Sequence, residues 1–219
     1  MQRDDVYYDD LTGRLYTAVL SDVLDDLGAR NQVLHPDVRP VYEGAAIVGR
    51  AATMLAVPAS EIPDEPYKLM MQTLDSIQPG EVVVCAVRGS ENAGMWGELL
   101  SVHTRARGGR GAILDGLTRD VWGIVDMQFP VFATGRCPAD SKGRVDVVEA
   151  RTSIEVGGVV IADRDLVVAD VDGVIVVPQD LEEEAVARAL EKVAGENTIR
   201  DVLAAGASLE AVFKEYGIL

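Results

Sequence analysis

Two cysteines, two histidines and four lysines are all this chain has of the side chains that most often carry covalent or zinc chemistry. Cys85 lies inside the apolar run EVVVCAV and Cys137 in the turn-like GRCPAD, so a disulfide scaffold is not indicated and both read as reduced thiols without a neighbouring histidine. His35 and His103 alone cannot build an all-histidine zinc site. An imine-forming lysine must be desolvated, whereas Lys68, Lys142, Lys192 and Lys214 fall in helical segments or a polar loop. No apolar run reaches the length that crosses a bilayer. Positive charge is also scarce: 36 acids against 20 Lys and Arg leave a net charge of −16, which repels phosphate backbones and argues against nucleic-acid binding. That charge suits a solubilising surface or a basic protein partner. The opening MQRDDVYYDD is polar and acidic, unlike a signal peptide, and gives the expectation of a cytoplasmic protein.

What is present is an apolar content of 48%, spread along 219 residues, enough for one sizeable core. We expect a single domain over 1–219. A helix is predicted over about 9–28, from the helical spacing in YDDLTGRLYTAVLSDVLDDLG, ending at Gly28 as a C-cap. AAIVGRAATMLAV reads as a strand or strand pair, and PYKLMMQTLDSI as a short helix. EVVVCAVRG is the continuous apolar run of a sheet-buried strand. WGELLSVHTRARGG (helix), GAILDG (strand), RDVWGIVDM (helix) and FPVFATG (strand) continue an alternation that implies parallel strands with right-handed crossovers. From GRVDVVEA to GVIVVP, short strands separated by Gly and Asp turns predict antiparallel or mixed pairing and a second sheet region. A helical tail is expected over about 180–219, broken at its glycines.

In a right-handed strand–helix–strand unit, the strand ends and the helix start meet at one sheet edge. Here that edge collects residues 88–94, 97–99 and 115–120, so Glu98 can face Arg119 and Asp120. Free N–H groups at the helix start favour a carboxylate or a phosphate, and Gly94 and Gly97 permit close approach. Arg119 is a bidentate partner for a carboxylate, and Glu98 and Asp120 are hard oxygen donors for a divalent cation. Each residue also has a plainer reading: Glu98 as a first-turn acid, Arg119 and Asp120 as an ion pair, Trp96 and Trp122 as packing, His103 as helix surface. Their meeting at one edge is what favours a site.

Other motifs fail on their letters. GSENAGMW has P-loop glycine spacing, but Met95 and Trp96 stand where Lys and Ser or Thr are required. No GxGxxG follows a strand. DVDGV lacks the remaining ligands of a calcium loop and reads as a tight turn.

WGELL, the RGxxG at residues 107–111, ILDGLTRD, DLVVADVDGVIVVP and the tail GENTIRDVL to AVFKEYGIL together resemble the ribonuclease-regulator-like (RraA-like) family, which includes 4-hydroxy-4-methyl-2-oxoglutarate aldolase. The best signature is an acid, twenty residues, then Arg-Asp: Glu98, Arg119 and Asp120. The resemblance implies an α/β fold of the swivelling β/β/α type, with a mixed sheet core and C-terminal helices. It implies trimers or hexamers with sites between subunits, and Mg²⁺- or Mn²⁺-dependent cleavage of 4-hydroxy-2-oxo acids with oxaloacetate decarboxylation. By resemblance, Asp120 holds the metal and Arg119 binds the pyruvyl moiety. Glu98 acts through a water, N–H groups near Gly97, Glu98 and Leu99 receive the substrate carboxylate, and Glu196 is contributed by a neighbouring subunit. Two positions depart from the aldolase pattern: Glu98 stands where aldolases carry Asp, and Gly123 where they carry another acid. The rival readings are a non-catalytic regulator of ribonuclease E and a lyase acting on a related sugar-acid derivative.

Overall fold

The computed structural model describes residues 5–89 and 92–217. The first four residues of the acidic opening, Ser90 and Glu91 of GSENAGMW, and the last two residues of the predicted tail lie outside the described residues.

The chain begins with α1 (Asp5–Arg14) and α2 (Thr17–Asp26), then β1 (Arg39–Pro40), β2 (Ile47–Pro58), α3 (Lys68–Asp75) and β3 (Glu81–Val87). The central stretch carries β4 (Gly94–Trp96), α4 (Glu98–Ala106), β5 (Gly111–Asp115), β6 (Leu117–Thr118), α5 (Val121–Asp126), β7 (Val131–Ala133) and β8 (Gly135–Arg136). After it come β9 (Val145–Ala150), β10 (Ile154–Val156), β11 (Val159–Ile161), β12 (Leu166–Asp170), β13 (Gly173–Val177), α6 (Glu182–Ala204) and α7 (Leu209–Tyr216).

A mixed sheet forms the centre in the order β1-β7-β5-β3-β2-β12-β13, with β9 also pairing β2. The expected parallel unit is there: β2, β3, β5 and β7 pair in parallel. The sheet nearly closes, for Arg39 on β1 donates to the Asp172 carbonyl in the β12–β13 turn at 2.7 Å. β3 shows why its run has no polar residue after Glu81. Val83, Cys85 and Val87 point into a core shared with α3 and α5, while Val82, Val84 and Ala86 point into one shared with β10 and β11. A third core seats α1, α2 and α6 on the outer side of β12 and β13. Both cysteines are free, and burial, followed by the charge of Asp115, pushes the Cys85 thiol up to about 12. No helix among the described residues is long and apolar enough to cross a membrane.

Three expectations are corrected. The predicted N-terminal helix is two helices, because the backbone N–H and the hydroxyl of Thr17 both donate to the Asp170 carboxylate at 2.7 and 2.8 Å. A carboxylate from a distant strand thus caps α2 where Tyr16 cannot. Gly28 does stop α2, in the left-handed conformation. Most of the expected second sheet region instead joins the main sheet: β9 and β12 pair antiparallel with β2, and only β10 and β11 stand apart as a hairpin. DVDGV is the tight β12–β13 turn. In the tail Gly195 lies within an unbroken α6, and the break falls at Gly206, with Ser208 capping α7.

Candidate functional site

Beside the main sheet lies a small parallel sheet, β4-β6-β8, that holds the site. The Arg119 N–H and the Thr118 hydroxyl both donate to the Trp96 carbonyl, at 2.8 and 3.0 Å, which fixes residues 118–120 against the start of α4. Trp96 is buried, and its indole N–H donates to Ser101 Oγ at 2.8 Å, which in turn donates to the Gly97 carbonyl at 2.9 Å. The first turn of α4 is therefore pinned from inside. No side chain caps it, so the N–H groups of its first turn are free of a capping oxygen.

Two glycines set the acids. A Cβ on Gly97 would lie 2.5 Å from Asp120 Oδ2, so the carboxylate occupies space that any other residue would fill. A Cβ on Gly123 would lie 2.6 Å from Glu98 Cδ and 2.8 Å from its Oε2. The two departures from the aldolase pattern thus share one volume: the longer acid at position 98 lies where a side chain at 123 would be. Asp120 itself is left-handed, at φ 53°, a conformation that aspartate tolerates better than most residues.

Arg119 lies between two carboxylates. Its Nε is 3.3 Å from Asp120 Oδ2, and one terminal nitrogen is 3.3 Å from Asp140 Oδ1. The Tyr67 hydroxyl donates to the other Asp140 oxygen at 2.9 Å. Burial first, and then Asp140, raise the Tyr67 hydroxyl above its usual pKa, so it stays a donor. Arg119 and Asp120 keep about a third of their side-chain surface exposed, 33% and 38%, enough to meet a ligand from the cleft. That cleft has a volume of about 300 Å³. Gly97, Leu99, Arg119 and Asp120 line it, as do Tyr67 and Asp140, which the sequence reading missed. Asp140 sits in a polar loop, CPADSKG, with no local pattern to mark it.

The structure brings Arg119 and Asp120 to one corner of the cleft, with Gly97 and Leu99 beside them, while Glu98, the first residue of α4, has its carboxylate against Gly123 and is not among the residues that line the cleft. Nor does the structure bring Glu196 there. On α6, Glu196 accepts a short hydrogen bond from the Tyr16 hydroxyl, and burial together with Glu196 pushes that hydroxyl up to about 12. Trp122 is exposed and His103 pairs with Asp75 on the surface at 3.1 Å.

No three His, Cys, Asp or Glu side chains converge as a ready-made metal cage among the described residues. The donor chemistry fits Mg²⁺ or Mn²⁺ better than zinc, because Mg²⁺ characteristically takes one or two carboxylates and fills the rest of its sphere with water and ligand oxygens. Asp120, cradled against Gly97, would be the residue to offer such an ion an oxygen donor.

The RraA-like family model described as Aldolase/RraA matches residues 17–176. The chain belongs to the RraA-like family. It is 30% identical over 201 residues to protein DlpA of Legionella pneumophila, covering 91% of this chain but only about a third, 32%, of DlpA. It is also 30% identical to a Halalkalibacterium halodurans protein named "Putative 4-hydroxy-4-methyl-2-oxoglutarate aldolase", covering 81% of this chain and 80% of that one. Among solved structures, a Pseudomonas syringae pv. tomato protein superposes with a TM-score of 0.85 at 28% identity, over 99% of this chain and 96% of its own. Streptomyces coelicolor RraAS2, titled an unusual member of the RNase ES inhibitor RraA protein family, gives 0.79 at 28% identity over 91% and 98%. The RraA-like fold is thus the mixed-sheet architecture described above, with α6 and α7 at the C-terminal end.

The glycine cradle makes a direct prediction. Gly97 is extended, at φ −159°, so alanine suits its backbone but would collide with the Asp120 carboxylate. Gly97→Ala should leave the melting temperature within a few degrees while lowering activity by roughly a hundredfold, the scale of an ångström misplacement. Unchanged kinetics in Gly97→Ala would show that the carboxylate position is immaterial.

Proposed function

We propose that this RraA-like protein is a divalent-metal-dependent lyase that cleaves 4-hydroxy-2-oxo acids to pyruvate and also decarboxylates oxaloacetate. The observation that carries this reading is Arg119 and Asp120 side by side against the uncapped start of α4, whose first residue is Glu98. Mg²⁺ or Mn²⁺, held by Asp120 with Glu98 contributing directly or through a water, would polarise the 2-oxo acid and offset the charge that builds as the carbon–carbon bond breaks. Arg119 binds the pyruvyl oxygens and stabilises that charge in the transition state. The N–H groups of Glu98 and Leu99 take the carboxylate at the helix start. Glu98 orients the water that accepts the proton of the 4-hydroxyl.

Oxaloacetate needs the same stabilisation, since loss of carbon dioxide replaces loss of a carbonyl fragment. The protein should therefore accelerate oxaloacetate decarboxylation beyond the rate of Mg²⁺ or Mn²⁺ alone, and oxalate, a planar dianion resembling the enolate, should inhibit it. Oxaloacetate loss is followed against a metal-only blank. A rate equal to the blank, with no effect of oxalate, would defeat the lyase reading.

A second reading is favoured by the net charge of −16: a non-catalytic regulator that binds basic regions of ribonuclease E through an acidic surface. EDTA separates the two. Inhibition of a ribonuclease should persist in chelator, whereas lyase activity should vanish.

We further propose that the working form is a trimer or a dimer of trimers. Leu99 at the cleft and Trp122 on α5 are 79% and 74% exposed, and α7 presents Leu209, Phe213 and Tyr216 to solvent. Such apolar surface is characteristic of subunit contacts. A neighbour's Glu196 would then reach a site that its own chain does not supply. Sedimentation should show a trimer or hexamer, and Glu196→Gln should lower activity. A monodisperse, fully active monomer would remove both the shared site and the role of Glu196.

A further inference from the structure

Beyond its charged corner the cleft is apolar. Tyr67, Met70 and Met71 on the α3 side face Leu99 and Leu100 on α4. We infer that this wall holds the half of the substrate distal to the 2-oxo acid, and that the tail it takes is an uncharged alkyl or aryl chain rather than a second carboxylate. The inference rests on the lyase reading and names its substrate class.

Charge decides it. Among the described residues that line the cleft, Arg119 is the single cation, and two carboxylates at 3.3 Å already face it. Asp140 is held at the wall by the Tyr67 hydroxyl, so its negative charge stays where a tail would pass. A tail carboxylate entering here would leave water without a cationic partner and approach a fixed acid. An alkyl tail instead gains roughly fourfold in affinity per methylene buried. Met70 is buried at the base, while Met71 and Leu99 are 51% and 79% exposed, so the flanks have apolar surface to cover a tail. Methionine is unbranched and polarisable, which lets such a wall adapt to tails of different length.

The chemistry balances without a further reagent. In a 4-hydroxy-2-oxo acid the C3–C4 bond breaks and its electron pair stays on C3 as the enolate. The 4-hydroxyl loses its proton as C4 becomes the aldehyde, and C3 takes up one proton to give pyruvate. From 4-hydroxy-2-oxoheptanoate the products are pyruvate and butanal. Oxaloacetate ends at C4, short of the wall, so its decarboxylation is governed by the charged corner alone.

Calorimetric titration of the protein, with and without Mg²⁺, tests the wall directly with pyruvate, 2-oxobutanoate, 2-oxohexanoate and 2-oxoglutarate, none of which is cleaved. Pyruvate and 2-oxobutanoate, which end at or before C4, should bind alike, affinity should then rise roughly fourfold per methylene to 2-oxohexanoate, with an increasingly negative heat-capacity change, and 2-oxoglutarate should bind at least about tenfold more weakly than 2-oxohexanoate. Met71→Lys, at an exposed position, should reverse that order. A flat alkyl series, 2-oxoglutarate binding as tightly as 2-oxohexanoate, or an unchanged order in Met71→Lys would overturn the inference. A pyruvate-release assay with 4-hydroxy-2-oxoheptanoate and 4-hydroxy-2-oxoglutarate keeps the two readings apart. No pyruvate from either, with the alkyl series intact, sinks the lyase reading and leaves the wall assigned. Equal or faster cleavage of the dicarboxylate sinks the wall assignment and leaves the lyase.

Discussion

Asp120→Ala should abolish Mg²⁺- or Mn²⁺-dependent release of pyruvate, with a fall of more than about a hundredfold, because disturbing even the groups around a metal ligand costs up to that much. The reason lies in how the carboxylate is placed. Its Oδ2 fills the space over Gly97, and the residue is held left-handed at the N-cap of α5. Alanine in that conformation adds about 1 kcal/mol of backbone strain, so the alanine variant mixes a stability effect with a chemical one. Asp120→Asn separates them, since asparagine tolerates the same backbone and keeps the shape while losing the charge. Both variants should lose turnover, and only the alanine variant should melt earlier. Raised metal should not restore Asp120→Asn at concentrations that saturate the unaltered protein. Unchanged turnover in a folded variant would take Asp120 out of the site.

The part of this corner that could be read from the sequence is the part carried by local periodicity. The alternation from EVVVCAV to FPVFATG fixes a parallel unit, and a right-handed crossover then places the start of α4 beside Arg119 and Asp120 without further information. Strands of two and three residues carry no usable period, so the small sheet β4-β6-β8 left no trace, although it is what holds the corner together. The break between α1 and α2 was equally invisible. It depends on Asp170, which lies 153 residues away and reads locally as a turn residue. Tyr67 and Asp140 reach Arg119 only through the tertiary fold, 73 residues apart from each other. The glycines were legible as places of close approach, but not what approaches them: Asp120 over Gly97 and Glu98 over Gly123.

Arg119→Lys should lower turnover by roughly tenfold to a thousandfold, the range spanned by losing a donor aimed at developing negative charge. Charge alone is conserved in this substitution, so the expected loss comes from geometry. The guanidinium meets Asp120 through Nε and Asp140 through a terminal nitrogen, and its planar fork has donors left for the two oxygens of a pyruvyl group. An ammonium is a compact point charge with three donors at the end of a flexible stem. It can satisfy one acid and one ligand oxygen, or both acids, but it cannot hold both acids and present a flat pair of donors to the substrate. The fall should appear mainly in kcat, because the missing bonds are those that strengthen as charge moves onto the enolate oxygen. Stability should change little, since the three side chains are partly exposed and ion pairs of that kind contribute at most about 1 kcal/mol. Arg119→Ala should lose at least as much activity, and added guanidinium should recover part of it. Wild-type kinetics in Arg119→Lys would eliminate the bidentate role. An Arg119→Ala variant that is impaired but gains nothing from guanidinium would leave Arg119 only the task of positioning Asp120 and Asp140.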